Sequence, residues 1–220
     1  MTMFQVLVSP AAAFERLRGK GGWVVALVAV TLATAAVAHF QWPLIEREMM
    51  AQFERSGGIP EGELSIVVNI AKYTALVTSL VMPAFLMFFI GLLLYLMNLI
   101  VRGEGTYMQM SKVALYGMIP GLLGGLLTAA LATGLGAERL TDVTLTAGAF
   151  FAEKSGFLFT LASAVLNPFA LWGLAVTVVG AAVMSRRPVR SVAPWIVGAW
   201  LLVSLGSSLS ALLPTAPGPM

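Results

Sequence analysis

The chain contains no cysteine. That absence excludes a disulfide framework, thiolate zinc sites, iron–sulfur ligation and a cysteine nucleophile. Histidine occurs once, at His39, beside Trp42 at the end of an apolar run. This is the setting of an interfacial side chain rather than a catalytic base. Neither G-x-S-x-G nor H-E-x-x-H is present, and no glycine loop with a lysine could cradle phosphate. Charge is scarce as well: 10% of the 220 residues are charged, against roughly 25% in a soluble domain whose surface water must wet. The net charge is +3 and the pI near 9.5, but no basic run is interleaved with aromatics as a nucleic-acid surface requires. The sequence predicts no enzyme, no cofactor, no metal and no nucleic-acid partner.

Hydrophobic residues make up 59% of the chain, with a mean hydropathy of +0.90. Their distribution predicts an all-α, polytopic membrane bundle of five transmembrane helices, with amphipathic interfacial helices at the N-terminus and in a loop. A membrane crossing takes about 20 apolar residues. Such runs cover 22–42, 73–100, 112–135, 156–184 and 192–213 within a membrane domain spanning 22–213. Ala36-Val37-Ala38 resembles a signal-peptidase site, but the apolar run continues past it to Trp42, so the segment reads as a true span. Pro83, Pro120 and Pro168 fall inside the second, third and fourth runs and predict kinks or hinges.

Residues 1–21 precede the first run as an amphipathic lead-in on the membrane surface. Ser9-Pro10 suits a helix start, and Phe14 and Leu17 share a face opposite Glu15, Arg16 and Arg18. A second amphipathic stretch follows the first span. Met49 and Phe53 recur there at helical spacing among Glu46, Arg47, Glu48 and Glu54, and Ser56-Gly57-Gly58-Ile59-Pro60 ends it. Phe14, Leu17, Met49 and Phe53 are the candidate partner contacts. Residues 214–220 read as a flexible tail.

Placing the N-terminus in the cytoplasm puts eight Lys and Arg residues inside and five outside, the bias that the positive-inside rule describes. Five spans then leave the C-terminus outside. The middles of the runs carry no ionisable group, which argues against an ion-coupled pump. Lys72, Lys112 and Lys154 stand at span ends, where a lysine extends its ammonium to the interface. Asn98, Tyr116, Asn167 and Trp172 are the polar or amphipathic candidates within or beside the spans. Asn167 precedes Pro168, so its amide could satisfy backbone groups that the proline frees. Small residues spaced by four, at Gly121 and Gly125, Ala29 and Ala33, and Gly206 and Ser210, predict close helix packing and leave homo-oligomerisation open.

Ser9-Pro10 with Phe14, Gly103 to Tyr107 leading to Tyr116 and Ile119-Pro120, and Asn167-Pro168-Phe169 followed by Leu171-Trp172 together carry a resemblance. The chain resembles the Yip family of five-span membrane proteins, particularly its short bacterial members. The resemblance implies a non-enzymatic protein of the bacterial plasma membrane that recruits or organises other membrane proteins. The eukaryotic members are linked to small GTPases, but a lead-in of only about 21 residues argues against that role here. The function expected is therefore to bind and help assemble or regulate a membrane complex such as a transporter. The alternative is a transport component that passes a small or lipidic molecule, with Asn98, Tyr116 and Asn167 lining a path.

Overall fold

The computed structural model describes residues 2–19, 21–55, 61–137 and 143–212. The Ser56 to Pro60 breaker and the tail 214–220 lie outside them. The described chain is helical: α1 (Thr2–Val8), α2 (Pro10–Leu17), α3 (Trp23–Arg55), α4 (Glu61–Ile100), α5 (Tyr107–Gly117), α6 (Ile119–Gly134), α7 (Gly156–Val165), α8 (Pro168–Ser185) and α9 (Val189–Leu209). Short 3₁₀ turns stand at Ala147–Phe150 and Ser210–Leu212.

Five segments are long and apolar enough to cross a membrane: Trp23–Glu54, Gly62–Ile100, Tyr107–Gly134, Pro168–Ser185 and Val189–Leu209. The expected all-α, five-span bundle is thus the architecture observed. Helix α5 is its centre. Seven consecutive residues, Met110 to Tyr116, are buried, so every face of this helix meets protein. Helices α4 and α8 pack against it, and α3 packs along α4. Large apolar side chains such as Val25, Leu32, Leu92, Leu96 and Leu202 point outward. Asn98, Ser111 and Lys112 point inward and are hydrogen-bonded there. That inversion is what a hydrocarbon solvent selects, since polar groups find partners only inside.

Three boundaries depart from the hydropathy reading. First, the amphipathic stretch after the first span is not a separate interfacial helix: α3 runs unbroken through Pro43 for 33 residues. Only the residue at i−4 loses its backbone partner to a proline, and the flanking turns here hold. Second, the third span starts earlier, at Tyr107, and comprises α5 and α6 joined at Met118, with Pro120 in the first turn of α6. Third, the apolar run 156–184 is broken into two helices. Helix α7 has 10 residues, about 15 Å of rise, and cannot cross alone. It packs chiefly against α9 and the two 3₁₀ turns.

Candidate functional site

The densest set of polar contacts lies where α2, α4, α5 and α8 meet, at the end of the bundle that carries Arg102, Arg186, Arg187 and Arg190. Helix α2 begins at Ser9-Pro10, as the sequence predicts, and its Phe14 and Leu17 form one face. That face is turned into the chain's own interior. Phe14 is fully buried, with its ring edge-on to Tyr116 at 6.2 Å between centroids and 87° between planes. Gly180 on α8 makes room for it: a Cβ there would lie 2.5 Å from the Phe14 ring. Leu17 is 5% exposed. The lead-in therefore docks into the bundle, and these two side chains are engaged within the chain.

The last carbonyls of α2 have no helical partner of their own. Lys112 Nζ donates to the Leu17 carbonyl at 3.1 Å and Gln109 Nε2 to the Arg18 carbonyl at 3.2 Å. The Arg18 guanidinium donates in turn to the Val183 carbonyl on α8. A cation at a helix C-terminus is favoured by the helix dipole. Lys112 does not snorkel to the interface as a lysine at a span end would. It is 6% exposed, because α2 covers it and offers it a carbonyl. Sequence reasoning missed Gln109 and Lys112 as the seat of α2. The signal was a polar pair, three residues apart, where the polar stretch after the second span gives way to the apolar third.

Asn98 ties the α4–α5 turn to this seat. Its Nδ2 donates to the carbonyls of Gly105 at 2.9 Å and Gly103 at 3.3 Å, and its Oδ1 accepts from the Gly105 N–H at 3.3 Å. Gly103 and Gly105 pass so near the Asn98 amide and Met110 that neither position has space for a side chain. The Glu104 N–H donates to the Ser185 carbonyl at 3.0 Å, Arg186 pairs with Glu104 at 2.7 Å, and Arg187 donates to the Arg102 carbonyl. Thr106 then starts α5 with a capping box to Gln109.

The remaining candidates lie elsewhere. Asn167 caps α8, its Oδ1 accepting from the N–H groups of Phe169 at 3.0 Å and Ala170 at 3.2 Å. It therefore serves the helix start after Pro168 rather than a carbonyl before it. Trp172 donates from Nε1 to the Leu7 carbonyl at 3.2 Å, fastening α1 to α8. Pro83 is buried within an unbroken α4. Met49 and Phe53 sit on the far part of α3, both half-buried. Asn98, Tyr116 and Asn167 each engage a different partner, so they do not form one lining. Among the described residues no three His, Cys, Asp or Glu side chains gather as a metal would need.

The Ser9-Pro10 helix start, the Gly103 to Tyr107 turn and the Asn167-Pro168 cap thus all have structural work in one bundle. The model of the Yip1 domain family matches residues 4–211. The chain belongs to that family. No curated protein and no solved structure matches it. In this Yip1 domain the matched region takes in the docked α1–α2 segment together with all five candidate spans. The N-terminal helices are accordingly part of the domain.

Proposed function

We propose that this Yip1 domain protein is a non-enzymatic, multi-pass protein of the bacterial plasma membrane that binds a membrane protein complex and helps assemble or regulate it, a transporter being the expected class of partner. The N-terminal and basic end would face the cytoplasm. The observation that carries the reading is the length of two helices. Helices α3 and α4 have 33 and 40 residues, about 50 and 60 Å of rise, against a hydrocarbon core of about 30 Å. Packed along each other, they extend well beyond what crossing requires. This antiparallel hairpin carries Met49 and Phe53, with Met50 exposed beside them. With the Phe14 face used inside the bundle, the hairpin is the amphipathic surface left for a partner. The burial of Asn98 and Tyr116, and the use of Asn167 as a helix cap, speak against a path for a transported molecule.

Affinity purification in mild detergent, followed by mass spectrometry, tests the reading against a Met49→Glu, Phe53→Glu variant. The expected result is a stoichiometric membrane partner with the native chain and its loss from the variant, while the variant still inserts and purifies. Equal recovery from both chains, or isolation of the native protein alone in several detergents, would overturn it.

A further inference from the structure

A cleft of about 410 Å³ opens on the membrane-spanning surface between α4, the α5–α6 junction, α8 and α9. Its floor exists because side chains are missing there. Gly117 and Gly173 face each other so closely that a Cβ on Gly173 would lie 2.7 Å from the Gly117 carbonyl oxygen. Gly121, one turn on, has nothing within 4 Å of where its Cβ would be. The rim is bulky, with Leu93 at 50%, Trp195 at 52% and Val203 at 71% exposed. Thr177 brings the only side-chain hydroxyl to the lining, and it already donates to the Gly173 carbonyl at 2.8 Å. The indole N–H groups of Trp195 and Trp200 are the side-chain donors left, and the rest of the lining is apolar.

We propose that this cleft holds one acyl chain of a bilayer lipid, retained between α4 and α9 as part of the packed structure. Three features select that occupant. The cleft lies at the depth of the spans, where hydrocarbon is the solvent. Apart from Thr177 and the two indoles, its lining offers only dispersion contacts. Helices that associate in membranes also bring small residues to the contact surface, whereas here the glycines lie at the bottom and the large side chains at the lip.

The test uses the full chain in phosphatidylcholine vesicles doped with a lipid that carries a diazirine on its acyl chain. After photolysis, adducts are mapped by peptide mass spectrometry. Adducts on the cleft residues Ala114 and Trp200 are compared with those on Val25 and Leu32, which face lipid on α3. Cleft adducts are expected to exceed the α3 adducts. Gly121→Phe, which fills the floor without a backbone clash, should lower them about tenfold, equivalent to about 1.4 kcal/mol of lost packing, and leave the α3 adducts unchanged. Ala199→Phe, from the opposite wall, should do the same and serves if Gly121→Phe fails to insert. Cleft labelling no stronger than on α3, or insensitive to both substitutions, would overturn the proposal. So would cross-links between two copies of a chain carrying p-benzoylphenylalanine in place of Trp200, which would place a second copy there instead.

Discussion

Asn98 shows how a single amide is used when no water is at hand. Its three hydrogen bonds satisfy two carbonyls and one N–H of the α4–α5 turn. Asn98→Leu would keep the volume and orphan all three, at about 1–3 kcal/mol for each group left unsatisfied. We therefore expect a loss above about 2 kcal/mol in reversible unfolding. Asn167→Ala should cost about 1 kcal/mol, the usual value of an N-cap, and Asn167→Ser almost nothing. If the Asn167 change proved the more severe, a role beyond capping would follow. Neither role was legible in the sequence. An Asn within an apolar run signals a polar group that needs partners, but the partners of Asn98 come from a turn whose path hydropathy does not describe.

At the scale of helices, legibility followed the physical origin of each signal. Five spans were readable because transfer of about 20 residues into hydrocarbon sums over a window. The break at Asn167 was not, since such a sum is blind to a cap inside it. The docking of α2 was half readable: periodicity gives the apolar face of a helix but not the surface that covers it. Small-residue spacing named Gly121 and Gly125, yet close crossings lie at Gly91 with Ser111, Gly117 with Gly173 and Gly180 with Phe14. These predict opposite outcomes for one kind of substitution. Gly173→Ala must push α5 and α8 apart and should cost about 1–3 kcal/mol. Gly121→Ala meets open space and should gain up to about 1 kcal/mol of helix propensity. Thermal melts of the two variants in the same detergent check both.

For the molecule as a whole, the absence of cysteine makes orientation directly measurable. In the proposed topology, Arg190→Cys should react with an impermeant maleimide only from the cytoplasmic side, and Glu63→Cys only from the other. The reverse pattern would invert the molecule and with it the side on which the α3–α4 hairpin meets a partner. The seat of α2 also bears on the order in which the chain can be built. Leu17 is joined to Lys112 across 95 residues of sequence, and Arg18 to Val183 and Leu7 to Trp172 across 165 each. Helices α1 and α2 are thus made before the helices that hold them. Until α5 and α8 are inserted, Phe14 lacks the Tyr116 ring and the close approach of Gly180, and the Leu17 and Arg18 carbonyls lack the side chains of Lys112 and Gln109. Docking of the N-terminal segment is in this sense the closing step of biogenesis, and a chain truncated before α8 would expose it. A quality-control protease reading apolar N-terminal segments would find here a mark of unfinished assembly that completion removes.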